Sequence, residues 1–149
     1  MLKKSKVLKN VFYKKFLGIL IKKGKKTKAK KILDAVFLKV SKKTKMPVNL
    51  VLYQVFFNLS TFVEVRRVYS RRSSYLVPFN ISLSRRFYLA LKWILIAVKA
   101  DKRRVGSVNK FSVEVFKIIK NLSSSQSLKL KVLNNSQAFA NKANIHFRW

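Results

Sequence analysis

Between Val63 and Trp93 the spacing of the apolar residues changes once, from every second residue to the period of a helix, and few folds accommodate that change. Val63, Val65, Arg67 and Tyr69 alternate with Glu64, Arg66 and Val68. Ser70-Arg71-Arg72-Ser73 is polar. Tyr75, Val77, Phe79 and Ile81 alternate on the way back. This predicts a β-hairpin over 63–81, with a loop longer than a two-residue turn. Pro78 cannot donate to a ladder, which suits the edge of a two-stranded arm. From Ser84 the alternation stops, and Phe87, Leu89, Leu91, Trp93, Ile94, Leu95 and Val98 predict a helix over Arg85–Lys99, with Trp93 read as core. An isolated hairpin is marginal in water and needs a surface to lie on. Its four arginines, Arg66, Arg67, Arg71 and Arg72, point to an anionic one.

The charge balance generalises that inference. The chain has 149 residues, 35 of them Lys or Arg against 4 Asp or Glu, a net charge of +31. Such a chain repels itself and calls for a polyanion, either nucleic acid or an anionic membrane. At 49% apolar residues it is nevertheless no disordered tail. Asp34, Glu64, Asp101, Glu114 and the lone His146 are a poor kit for catalysis, cysteine is absent, and no phosphate-cradling glycine motif is present, since Gly24-Lys25-Lys26 lacks an upstream glycine. No enzyme activity, cofactor or metal is expected. The best candidate spans, Val48 to Val65 and Phe87 to Val98, are interrupted by polar residues or too short for the roughly 20 apolar residues a bilayer requires, so no membrane insertion is expected. The opening MLKKSKVLKN has neither a signal-like apolar run nor the arginines of an import sequence.

The remaining elements follow from periodicity. Residues 1–10 read as a basic tail. Phe12, Phe16, Ile19 and Leu20 predict a helix over Val11–Lys23, closed by Gly24. The run GKKTKAKK, residues 24–31, reads either as a solvated loop and helix start or as a phosphate-contacting loop, with Lys22, Lys23, Lys25, Lys26 and Lys28 as the cations. Thr27 is expected to cap a second helix whose inner face is Ile32, Leu33, Val36, Phe37 and Val40. Pro47 opens a third helix, with Leu50, Tyr53, Gln54 and Phe57 on one face and Val51, Val55, Leu59 and Phe62 beside it, expected to be buried on most sides. Arg85, Lys92 and Lys99 recur every seven residues and share one face of the fourth helix, which is either simply its wet side or a phosphate-facing one. Arg86 adjoins them. DKRRVG, with Arg103 and Arg104, is a basic loop. Ser107 is expected to cap a fifth helix, with Val108, Phe111, Val115, Ile118 and Ile119 inward. Residues 121–126 read as a Ser-rich linker, and Val132 to about His146 as a last helix with Leu133, Ala140 and Ala143 apolar. Arg148 sits in the aromatic ending HFRW, a contact for protein or RNA. Tyr69 and Tyr75 either stack on bases or pack onto the arm. The residues alone therefore predict a helical RNA or DNA binder with a basic arm. A basic membrane-surface protein and an architectural DNA-binding protein are the alternatives.

Five stretches then carry a resemblance. Ile21-Lys22-Lys23-Gly24-Lys25-Lys26, Asn58 with Val63-Glu64-Val65-Arg66, Tyr75 with Val77-Pro78, Leu89-Ala90-Leu91-Lys92-Trp93, and the ending ANKANIHFRW occur in this order at near-constant spacing. From about Phe16 to Trp149 the chain resembles the bacterial-type protein number seven of the small ribosomal subunit. It departs at the hairpin, where Val68-Tyr69-Ser70-Arg71-Arg72 stands in place of the family's Arg-Arg-Val-Gly-Gly, and in 123–132, which lack the family's Gly- and Lys-rich connection.

The resemblance implies a mainly α fold, one domain over 1–149 of about six helices, with a two-stranded β-hairpin arm protruding between the third and fourth. It implies binding to the 3′ major domain of small-subunit ribosomal RNA, nucleation of the subunit head among neighbouring head proteins, and a place near the exit-site transfer RNA and the messenger path. Few acids and the heavy use of Lys, Asn, Phe and Ile favour a mitochondrial member, encoded in the mitochondrion, over a bacterial or plastid one.

Overall fold

The computed structural model describes residues 2–70 and 73–148, with side chains from residue 11 onward except at 70. Six α-helices and one hairpin follow in the order α1 Leu2–Leu20, α2 Lys26–Thr44, α3 Val48–Leu59, β1 Val63–Ser70, β2 Ser73–Asn80, α4 Leu83–Ala100, α5 Ser107–Ile119 and α6 Gln126–Ala140. A 3₁₀ turn, Lys142–Phe147, comes last. The architecture is the expected mainly helical one, with the hairpin between α3 and α4.

The core is built where the apolar periods converge. Phe12 and Phe16 of α1, Leu33, Val36, Phe37 and Val40 of α2, Val51, Leu52, Val55 and Leu59 of α3, Phe87, Ala90, Leu91 and Ile94 of α4, and Phe111, Val115 and Ile118 of α5 form one buried cluster. Trp93 is buried, as expected, but in a smaller cluster with Ile81, Leu89 and the α6 residue Leu130. β1 and β2 pair antiparallel in a register that sets Glu64 opposite Phe79, Val65 opposite Pro78 and Val68 opposite Tyr75.

Several local expectations are corrected. α1 starts at Leu2 rather than Val11, because nothing before Gly18 breaks a helix, and it stops at Leu20 rather than Lys23. Lys23 and Gly24 both take positive φ, 50° and 71°, and the Lys25 amide donates to the Lys22 carbonyl, a tight reversal that forbids further helix. Thr27 does not cap α2, because the helix has already begun at Lys26. Ser107 likewise lies inside α5, whose N-cap is Gly106. The face of α3 carrying Leu50, Tyr53 and Phe57 is exposed, as is Phe62 beyond its end, and Leu52, not anticipated, joins Val51, Val55 and Leu59 inside. With no charge and only Asn49, Gln54 and Asn58 polar, the helix offers little polarity by which to choose its inner face.

The last helix begins at Gln126, within the expected linker, and ends at Ala140. A buried acid is the reason. Glu114 of α5 accepts hydrogen bonds from the Ser125 hydroxyl at 2.8 Å, the Ser127 amide at 3.0 Å and the Ser127 hydroxyl at 2.7 Å. Ser125 also caps α6 by accepting from the Leu128 amide. Two serines that would loosen a free chain thus fix the helix start. Val132 and Leu133 lie exposed on α6.

Candidate nucleic-acid interface

The four acids decide which cations are left for a ligand, and all four are engaged within the chain. Asp34 accepts from the Tyr13 hydroxyl, whose pKa burial and then Asp34 push up to about 12. Glu114 is held by Ser125 and Ser127. Asp101 accepts from the Arg103 side chain at 2.9 and 3.0 Å and from its amide at 3.0 Å, which holds the carboxyl well below its usual range. Glu64 accepts from Arg85 at 3.0 Å and from Arg66 at 3.3 Å.

Three expected cations are therefore structural as well as basic. Arg85 does not stand free on the outer face with Lys92 and Lys99. Its guanidinium clamps Glu64 of β1 to α4 and lies 5.0 Å from the Tyr88 ring. Arg103 closes its own loop onto Asp101. Arg66 shares Glu64 and lies 5.6 Å from the Phe79 ring. Arg86 is also committed, its guanidinium 3.9 Å from the Phe62 ring centre and its Nε buried without a partner.

The Glu64–Arg85 pair gives the root of the arm a pH dependence. Hydrogen bonds from Arg85 outweigh burial and hold the carboxyl below its ordinary value of 4.5. Its stabilising contribution is thus complete above about pH 4.5 and is lost as the pH falls through the lowered value. Glu64→Gln is expected to flatten the acid limb of the stability curve, measured by thermal melts between about pH 3 and pH 6. An unchanged acid limb would remove Glu64 as the titrating group.

Among the described residues, none of the other expected cations is ion-paired with an acid. Lys22, Lys23, Lys25, Lys26, Lys28, Lys30 and Lys31 are all exposed on the α1–α2 turn and the first turns of α2. The positive-φ pair Lys23-Gly24 drives the turn outward. Lys22 and the α4 residue Lys99 line one cleft of about 150 Å³, with Ile19, Leu20, Leu95, Val98 and Phe111 behind them. Two surfaces separate in sequence thus become one. Lys92, Arg104 and Arg67 are exposed. Arg71 and Arg72 lie outside the described residues.

The C-terminal segment grips the arm. The Asn134 amide donates to the Val63 carbonyl at 2.8 Å, the Asn144 amide to the Leu76 carbonyl at 3.1 Å, and Arg148 Nε to the Pro78 carbonyl at 2.6 Å. Tyr75 stacks on Phe147 with ring centres 4.3 Å apart and planes at 10°. Of the two readings left open for Tyr75, packing is the one found, and one ring face is already covered. Beside this clasp runs a groove of about 710 Å³ whose apolar wall includes Phe62, Phe139 and Ile145 and whose cations are Lys131, Lys142 and Arg148. Burial lowers the Lys131 pKa, and its ammonium donates to the Asn58 carbonyl. Lys131 and Lys142 were not singled out in the sequence, because the last helix shows little period of its own.

Together these surfaces offer exposed ammonium and guanidinium groups and free aromatic faces, the equipment for holding phosphate and unpaired bases. Among the described residues no three His, Asp or Glu stand close enough to hold a metal. No helix among them is long and apolar enough to cross a membrane.

Comparison with known proteins gives a consistent answer. The family described as ribosomal protein S7p/S5e matches residues 1–142. The chain is 29% identical to the small ribosomal subunit protein uS7m of Reclinomonas americana over 91% of its own length and 83% of that protein. It is 31% identical to uS7 of Petrotoga mobilis over 94% and 88% of the two chains, and 34% identical to uS7 of Thermotoga petrophila over 85% and 79%. A basic helical body, an arm that leaves it between α3 and α4, and a match running nearly the length of the chain have one common explanation: this chain belongs to the ribosomal protein S7p/S5e family.

Proposed function

We propose that this chain, a structural protein of the small ribosomal subunit and not an enzyme, acts by binding the 3′ major domain of the subunit's ribosomal RNA. It thereby nucleates the head, with neighbouring head proteins joining afterwards and the arm lying near the exit-site transfer RNA and the messenger path. The whole chain works as one RNA-binding body. The carrying observation is electrostatic: every acid is engaged within the chain, and the cations of the α1–α2 turn, the Lys22–Lys99 cleft and Arg67 of the arm are exposed with no acid paired to them. RNA helices present phosphates and 2′-hydroxyls, and their deep major groove excludes side chains, so recognition rests on shape and charge. Lys22, Lys23, Lys25, Lys26, Lys28, Lys92 and Lys99 act as point charges on phosphate. Arg67, Arg71, Arg72 and Arg104 are suited to grip it bidentately. Arg85, Arg86, Arg103 and Arg148 serve mainly to hold the surfaces in place. The likeness to uS7m and the scarcity of acids support a mitochondrial ribosome as the setting.

The arm supplies the test. The register sets Val68 opposite Tyr75, so replacing residues 69–74 with Asn-Gly closes a two-residue hairpin without touching the clasp. Incorporation into small subunits, read by sedimentation, is expected to persist, and retention of exit-site transfer RNA on those particles to fall. Chemical footprinting should show protection confined to the 3′ domain. Collapse of incorporation would make the tip a primary RNA anchor. Protection outside the 3′ domain would overturn the assignment of the RNA.

A further inference from the structure

The cleft that joins α1 to α4 is apolar although exposed lysines border it. Its back is Ile19 and Leu20 of α1, Leu95 and Val98 of α4 and Phe111 of α5, and the exposed Lys22 and Lys99 complete it. Among the described residues neither ammonium is ion-paired, and α1 and α4 contain no acid. The cleft measures about 150 Å³, and an apolar cavity of roughly 150 Å³ holds one six-membered aromatic ring.

We infer that this cleft takes one unpaired pyrimidine base of the ribosomal RNA, with the phosphates beside that base on Lys22 and Lys99. The inference rests on the RNA binding proposed above and deepens it. Lysines on phosphate fix position without reading sequence, whereas a base in a shaped slot is read. Size and charge select the occupant. The fused rings of a purine exceed a slot for one ring. A base inside a helix is stacked on its neighbours, so only one turned out of the stack can enter. An apolar side chain of a protein would fit the slot but brings no charge of its own. It would strip water from two ammonium groups without a counter-charge. Every nucleotide carries a phosphate with its ring.

The experiment measures filter binding of the full chain to a transcript of the 3′ major domain. Unpaired bases are probed with a carbodiimide, which modifies uracil at N3, and dimethyl sulfate, which modifies cytosine at N3. Leu20→Trp and Leu95→Trp fill the slot from opposite helices and leave every charge in place. Each is expected to weaken binding about ten-fold, the cost of losing one held base, with the slope of log affinity against log salt unchanged. The unaltered chain should shield one unpaired pyrimidine from the reagents, and both variants should expose it. Lys22→Ala with Lys99→Ala should do the converse, lowering the slope by about two with the base still shielded at saturating protein. Thermal melts check that the variants fold. Independently of them, a transcript made abasic at the shielded position should lose about ten-fold in affinity for the unaltered chain. Affinity indifferent to the abasic site or to a folded Trp variant, a slope lowered by the Trp variants, or shielding of no pyrimidine would each overturn the proposal. Trp variants that bind RNA normally but fail to enter small subunits would give the slot to a protein and overturn it too. Failure of the unaltered chain to bind the transcript would instead overturn the RNA assignment, and this inference with it.

Discussion

Raising monovalent salt from about 50 to about 200 mM is expected to weaken binding to small-subunit RNA by about a thousand- to a hundred-thousand-fold. The effect is this large because the free cations are spread over separate surfaces. A chain that engages roughly six to ten phosphates releases that many counterions, and its affinity scales with salt as a power of nearly that number. The exposed lysines of residues 22–31, Lys92, Lys99 and Arg67 already reach it. Changing both Lys25 and Lys26 to Ala should weaken binding to all RNA sequences alike and reduce the slope by about two. A filter-binding titration of log affinity against log salt reads both quantities. A nearly flat slope would mean that shape or base contacts, not phosphates, hold the RNA. An unchanged slope in the double variant would put the α1–α2 turn in solvent.

Phe16→Ala is expected to destabilise the RNA-free protein by about 3–5 kcal/mol. Phe16 is fully buried, and its ring meets Phe12 at 6.2 Å, Phe37 at 5.9 Å and Phe111 at 6.2 Å. It therefore ties α1, α2 and α5 together, and truncation leaves a cavity that none of the three can close alone. Domains of this size are stable by only about 5–15 kcal/mol, and the uncompensated charge works against this one. The free variant should be largely unfolded near body temperature, and RNA should restore it by binding the folded form. Phe57→Ala, on the exposed α3 face, should change stability by no more than about 0.5 kcal/mol. Urea unfolding separates the two. Equal effects at Phe16 and Phe57 would show that the core assignment is wrong.

The elements that a local period can specify were legible in the residues, and those that depend on a distant partner were not. The change of spacing after Ile81 marks both the hairpin and α4. The stripes of α2 and α5 place their buried residues correctly. By contrast, nothing near Ser125 or Ser127 shows that Glu114 waits for them on another helix, so a capped helix start reads as a linker. The seven-residue recurrence of Arg85, Lys92 and Lys99 does define one face of α4. It cannot show that Glu64 arrives from β1 at one end of that face while Lys22 arrives at the other. Asn134, Asn144, Tyr75, Phe147 and Arg148 are individually unremarkable polar and aromatic residues. Their roles exist only once the C-terminal segment lies along the arm. The apolar face of α3 was misjudged for the opposite reason: too many positions qualified for the core.

The clasp also orders events in time. The hydrogen bonds that orient the arm join residues 68 to 71 positions apart. Chains are synthesised at about 5–20 residues per second, so the arm precedes its clamp by roughly 3–14 seconds. In that interval α1 to α4 can already assemble, and the arginine-bearing strands are held only at their root, where Arg85 of α4 grips Glu64. Orientation of the arm is therefore among the last properties the nascent protein acquires. An RNA met early would encounter a finished body and a swinging arm, and only later a set one.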